Sequence, residues 1–170
     1  MADRAMRVYL NDHLAGAILG SALAEQIRDR AKGTPLGEVM ESIAAEIEED
    51  RQTLLNLMRR MGTRKNPIKQ ATGRIAELAS RVKFSGLLSG EPEHGAFLAL
   101  ESLTLGVAGK ACLWTALKKV SGTYPLLSPA DLDALIDRAE SQHSVLERER
   151  IAAGRRALAN CSDKSRDPGH

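Results

Sequence analysis

Several acids in this sequence stand where a helical stripe calls for leucine, and they are the residues best placed to do chemistry. Glu46, Glu49 and Asp50 fall at i, i+3 and i+4, which puts all three on one side of a helix. Asp50 takes the inward position between Ile47 and Leu54. Glu101 is the only acid between Glu93 and Asp131, and Phe97, Leu98, Thr104 and Leu105 flank it. Glu140 and His143 form Glu-x-x-His, with His143 continuing the stripe between Ala139 and Leu146. A carboxylate that faces an apolar core needs a cation, a proton or a hydrogen-bond partner, because an unpaired buried charge costs several kcal/mol. A metal held by these carboxylates and the imidazole would meet that need. So would ion pairing, for which Lys110 is a candidate. In a third arrangement Glu140 and Glu147 are solvated and His143 is a hydrogen-bonded histidine at the core's edge.

The elements that must position these groups are helices. The chain is rich in Leu, Ala and Ile but only 3% aromatic, which favours helix-on-helix packing over a β-sandwich. A first helix is expected over about 4–31, with Met6, Leu10, Ala17, Ala24 and Ile27 as its stripe and Leu14, Ile18 and Gly20 widening it. Gly16 and Gly20 lie four apart on one face, a spacing that would let a neighbouring backbone come close. Gly33 ends this helix, and Thr34-Pro35 opens a second over 35–61. Asn66-Pro67 starts a short helix over about 67–82, followed by a Gly/Ser-rich link. A third long helix spans 92–120, and Ser128-Pro129 starts a fourth over 129–159. Residues 161–170 read as a flexible polar tail. Residues 1–160 thus form one all-α domain, a four-helix bundle with a long crossover between its second and third helices. Met40, Ile43, Ile47, Leu54, Phe97, Leu105, Trp114, Leu135 and Leu146 are expected in its core.

This pattern resembles the ferritin-like superfamily, whose di-metal site draws one Glu from each of two helices and Glu-x-x-His from the other two. By that resemblance Glu101 corresponds to the lone Glu of the third helix, and Glu140 with His143 to the motif of the fourth. Glu46 matches the Glu of the second-helix motif, but Glu49 stands at its histidine position. The first helix reads Ala-Gly-Ala-Ile-Leu-Gly over 15–20, with no carboxylate at the matching height. The metal motif is therefore incomplete. The stretches LNDHLAGA, AAEIEEDR and LGVAGKACLW also resemble an uncharacterised family of small bacterial bundles, which implies a fold and no activity.

Charge is distributed unevenly despite a net of +2. Between Arg59 and Lys83 lie eight basic residues, among them Arg60, Arg64, Lys65, Lys69 and Arg74, against the single acid Glu77. Just upstream, Gly33 to Asp50 holds six acids and no Lys or Arg. The basic run suits nucleic acid, an acidic membrane surface or the acidic end of a second copy, and equally a solvated outer face. No aromatic interleaves it before Phe84, so base stacking is not indicated. No glycine-rich phosphate loop, nucleophile elbow or Cys-His-Asn set is present.

The N-terminus shows no secretory pattern, and Cys112 and Cys161 make no disulfide framework, so a reducing cytoplasm is expected. Gly95–Leu117 has the length of a membrane span, but it contains Glu101 and Lys110 and reads as the buried helix of a bundle. The first helix carries surplus apolar residues (Val8, Leu14, Ala15, Leu19, Leu23), which point to a two-fold homodimer or to cover by the crossover. The expected function is non-enzymatic binding or assembly, with no cofactor. One alternative is an iron or manganese protein or oxidase using Glu46, Glu49, Asp50, Glu101, Glu140 and His143. The other is polyanion binding through residues 59–83.

Overall fold

A computed structural model of the chain describes residues 2–63, 92–127 and 130–163. Arg64, Lys65, Lys69, Arg74, the short helix expected over 67–82 and the Ser128-Pro129 start signal lie outside these. The described residues form an all-α bundle of four long helices, with no strand among them. They are α1 (Arg4–Arg30), α2 (Pro35–Arg60), α3 (Pro92–Val120) and α4 (Leu132–Asp163), with a 3-10 turn at Pro125–Leu127.

Local chemistry sets most helix ends. Asp3 caps α1 by accepting the Met6 N–H at 2.8 Å. Thr34 caps α2 by accepting from the Gly37 N–H at 3.2 Å, and Pro35 takes the first helical position. Gly33, at φ +80°, makes the sharp reversal from α1, a backbone conformation that side chains oppose. The fourth helix starts later than its Ser-Pro signal suggests. Asp131 is its cap, accepting from the Ala134 N–H at 3.0 Å. The preceding residues are held instead by the 3-10 turn, whose Leu127 is fully buried. At the far end α4 runs on to Asp163, into what reads as tail in the sequence.

The helix directions follow from which ends meet. The Ala2 N–H donates to the Met61 carbonyl at 3.3 Å, and the Tyr124 hydroxyl donates to Asp3 Oδ2 at 2.9 Å. Leu132 and Leu135 pack in the same cluster as Met58 and Met61. The start of α1, the end of α2, the end of α3 and the start of α4 therefore share one end of the bundle. Ile27, Met40, Ala99 and Ala153 cluster at the other. Consequently α1 and α2 form one antiparallel hairpin, α3 and α4 another, and α2 runs parallel to α3. The chain leaves α2 at one end and joins α3 at the opposite one.

The core has two apolar halves. Leu10, Leu14, Leu54, Leu57, Leu113, Trp114, Leu117 and Ala139 make one. Ala24, Ile27, Met40, Ile47, Leu100, Leu103, Val107 and Leu146 make the other. Along the chain Asp50 falls between the halves on α2, Lys110 on α3 and Gln142 on α4, so a polar layer separates them.

Two expectations about packing are corrected. Leu105 is 69% exposed, because the buried face of α3 runs through Leu100, Leu103, Thr104, Val107 and Leu113. That helix is apolar on nearly every side, so periodicity could not select its inward face. By length and composition it could cross a membrane, and only 33% of its most apolar window is buried, so the helix is not the enclosed one expected from the sequence and turns an apolar face outward. On α1, Ile18 is exposed, and among the described residues no neighbouring atom lies within 4 Å of where a Cβ on Gly16 or Gly20 would sit. No described backbone approaches these glycines closely.

Candidate functional site

Three helices bring charged side chains into the polar layer. On α2, Asp50 replaces leucine at a core position and is 1% exposed. Its Oδ2 accepts from Lys110 Nζ of α3 at 2.5 Å, and its Oδ1 accepts from Arg138 Nη2 of α4. Arg138 also donates to Glu49 at 3.0 Å. Lys110 donates a second hydrogen bond to Gln142 Oε1, and Gln142, buried beside it, donates through Nε2 to Glu46 at 2.8 Å. The result is one alternating chain, Glu49–Arg138–Asp50–Lys110–Gln142–Glu46. Burial holds the Lys110 pKa below its ordinary value, and the adjacent Asp50 partly offsets this.

The acids singled out in the sequence therefore separate. Glu46, Glu49 and Asp50 are brought together, but with two cations and an amide. Glu101 is half-exposed and accepts from Arg150 Nη1 at 3.3 Å, while Arg150 makes a two-point pair with Glu147. That pairing holds the Glu147 carboxyl below the usual range. Glu140 points to solvent and His143 is only half-buried. Among the described residues no three His, Cys, Asp or Glu side chains come together as a metal-binding group. Arg59 and Arg60 of the basic run are exposed at the end of α2.

Arg138 and Gln142 are the components that sequence reasoning missed. Gln142, 1% exposed, holds the inner position assigned above to His143. Spacings of three from Ala139 and four to Leu146 fit the helical period as well as four and three do, so hydropathy left the choice open. A usable signal did exist: Arg138 and Gln142 are four apart, on the same face as each other.

On its other side the Asp50–Lys110 pair forms the floor of a cavity of about 240 Å³ between α1, α2 and α3. Gly16 and Gly20 of α1 border it on one wall, and Gly106 and Gly109 of α3 on the other. Among the described residues none of the four has a neighbouring atom within 4 Å of its Cβ position, so no described side chain fills the space beside them. Ile47, Leu54, Leu103, Val107, Leu113 and Trp114 give the interior an apolar lining. At the rim, His13 stacks edge-on against Tyr9 with ring centroids 4.6 Å apart. Burial lowers the His13 pKa, which Asp12 partly counters.

Both Asp50 oxygens are already occupied by cations. Lys110 has three N–H donors, of which Asp50 and Gln142 take two. Trp114 is 1% exposed, and its Nε1–H, itself buried, has no hydrogen-bond partner among the described residues. The Asp12 carboxylate, which also lines the cavity, adds acceptors. Comparison with known protein families, with curated proteins and with solved structures finds no match for the chain.

Proposed function

We propose that this chain is a non-enzymatic binding protein on a ferritin-like bundle, and that the cleft between α1, α2 and α3 is its binding site. The observation that carries the reading is the cavity of about 240 Å³ beside the Asp50–Lys110 pair, walled by four glycines with no described atom within 4 Å of their Cβ positions. A bundle selected only for packing would fill such a space, since interiors are close-packed and each void forfeits contacts. Small-molecule sites are concave, mostly apolar and provided with a few placed polar groups, which is the character of this cleft. In the ferritin-like comparison, the ion-paired chain from Glu49 to Glu46 takes the place of a di-metal centre. Lys110 and Arg138 supply the positive charge that a metal would bring, so a divalent ion would have to displace them.

Filling the cleft tests the reading. Gly16→Leu with Gly109→Leu should leave the helix content intact and abolish the thermal stabilisation given by small apolar probes such as indole. Elemental analysis of protein from cells supplemented with iron and manganese provides the opposing result. One equivalent of either metal per chain, lost on Glu46→Gln, would replace this reading with the metalloprotein one.

A further inference from the structure

We propose that the end of the bundle where α1 begins and α2 and α3 finish is a docking surface for an anionic lipid membrane. Hydrogen bonds gather these three ends: the Ala2 N–H donates to the Met61 carbonyl, and the Tyr124 hydroxyl donates to Asp3 Oδ2. Their terminal turns carry Arg4 and Arg7, Arg59 and Arg60, and Lys118 and Lys119, all exposed. Asp3 is the one acid in the stretches 2–7, 56–63 and 115–127, and it is committed to capping α1 and to Tyr124. The start of α4 supplies the acids of this end, where Asp133 pairs with Lys118 and Asp131 caps its helix. Arg7 and Arg59 donate to neutral partners, the Ala2 carbonyl and Asn56, which leaves their charge in place. Helix dipoles explain only part of the pattern. Cations at the ends of α2 and α3 meet the negative poles of those helices, but Arg4 and Arg7 stand at the positive pole of α1, whose first turn has no acid. The opposite end of the bundle mixes signs, with Arg28 paired to Asp29 and with Glu38, Glu41 and Glu93 as well as Arg30 and Lys32.

Apolar side chains among these cations select lipid over nucleic acid. The 3-10 turn after α3 exposes Pro125 and Leu126, while Leu127 is buried and anchors it. Tyr124, bonded to Asp3, sets this turn beside the start of α1 and therefore close to Arg4. Val8, one turn further along α1 than Arg4, is also exposed. Apolar groups flanked by Lys and Arg suit the boundary between headgroups and acyl chains, and an acidic leaflet attracts the cations. Nucleic acid asks for different equipment. A duplex is read by a helix or ribbon lying in a groove, whereas here helix ends carry the charge. Single strands are held on aromatic platforms. Tyr124, its hydroxyl engaged, is the one aromatic residue in the three stretches.

Flotation of the full chain with lipid vesicles is the experiment. Vesicles of phosphatidylcholine with a third phosphatidylserine should carry the protein, and vesicles of phosphatidylcholine alone should not. Binding should fall steeply between about 0.01 M and 0.1 M salt, as the screening length shrinks from about 30 Å to about 10 Å. Arg4→Gln, Arg60→Gln and Lys119→Gln together should weaken partitioning by about fivefold per residue, roughly a hundredfold in all, as expected for basic side chains near an acidic surface. Lys119→Glu alone should act in the same direction, which keeps the test open if the triple variant does not fold. Leu126→Ser should weaken binding several-fold while leaving its salt dependence unchanged. Arg64, Lys65 and Lys69 lie outside the described residues, and replacing them with Gln tests the basic run separately. Loss of binding in that variant, with the triple variant unaffected, would overturn the assignment to the helix ends. Equal binding to a short DNA duplex, with no effect of Leu126→Ser, would overturn lipid as the partner in favour of nucleic acid. Binding to neither at low salt would overturn the surface itself.

Discussion

Replacing Asp50 with alanine should be among the most destabilising single changes available in this chain, and the reason lies in Lys110. Asp50 is 1% exposed and Lys110 has 14% of its side chain exposed, so deleting the carboxylate leaves a mostly buried ammonium whose remaining hydrogen-bond partner among the described residues is Gln142. Arg138 suffers less, because its side chain is 30% exposed and keeps Glu49. Breaking one side of a buried pair generally costs about 3–5 kcal/mol. An independent ceiling follows from the lysine itself. The folded variant can release the Lys110 proton, which for a group of ordinary pKa 10.5 at pH 7 means about 3.5 pH units at about 1.36 kcal/mol each, close to 5 kcal/mol. The two routes agree, and either figure is a large share of the roughly 5–15 kcal/mol by which a domain is stable.

Urea unfolding followed by circular dichroism measures this directly, provided the slope against denaturant is unchanged. The pH dependence identifies the mechanism. A lysine pKa depressed in the folded state means that the unfolded chain binds more protons between the two pKa values. Stability of Asp50→Ala should therefore rise with pH towards 10.5, and its deficit against the parent should shrink. Asp50→Leu combined with Lys110→Met should recover most of the loss, since an apolar replacement of a buried pair is often neutral or better. A loss below about 1 kcal/mol, a deficit flat with pH, or a double variant no better than the single would refute the reasoning.

Three further outcomes follow from the same geometry. Gly16→Ala and Gly20→Ala should each stabilise by about 0.5–1 kcal/mol, because helix propensity rises and the added Cβ meets nothing within 4 Å. Gly37→Ala should destabilise, since its Cβ would lie 2.3 Å from the Ala31 carbonyl oxygen; melting temperatures distinguish the two cases. Leu103→Ala should cost about 2–5 kcal/mol, whereas Leu105→Ala should stay within about 0.5 kcal/mol. Reversed ranks in denaturant titration would mean that the buried face of α3 is wrongly described. In acid, stability should fall in two stages. Burial lowers the His13 pKa from 6.5, so its contribution is complete above 6.5 and is lost as pH drops through that value towards the folded one. The Arg51 guanidinium and Gln52 hold Glu48 at about 2 against an ordinary 4.5, so its contribution disappears between those values. Glu48 is partly exposed and its pair is worth only about 0.5–1 kcal/mol. His13→Gln should flatten the first stage alone.

Much of the fold was legible in the sequence because the relevant signals are local. Proline after a capping threonine opens α2 and a glycine with positive φ closes α1, and neither depends on what the helix later packs against. Apolar residues recurring at the helical period likewise marked the inner faces of α2 and α4, where polar residues fill the opposite side. The same reasoning flagged Asp50 as an acid in a leucine position and Lys110 as a possible partner. It could not orient α3, where leucines and glycines surround the whole circumference and Leu105 was expected inside. Nor could it choose between Gln142 and His143, one residue apart and both compatible with the stripe.

The remaining decisions belong to tertiary structure. Whether buried acids hold a metal or meet cations depends on which residues face them from other helices, and Arg138 and Lys110 are 88 and 60 residues away from Asp50. Sequence spacing carries no information about such pairs, because the angle and height at which two helices meet arise from the packing of all four. The cleft has the same origin. Gly16, Gly20, Gly106 and Gly109 look alike whether a neighbouring backbone lies against them or a cavity does, and the placement of α1 and α3 makes them the walls of a cavity among the described residues.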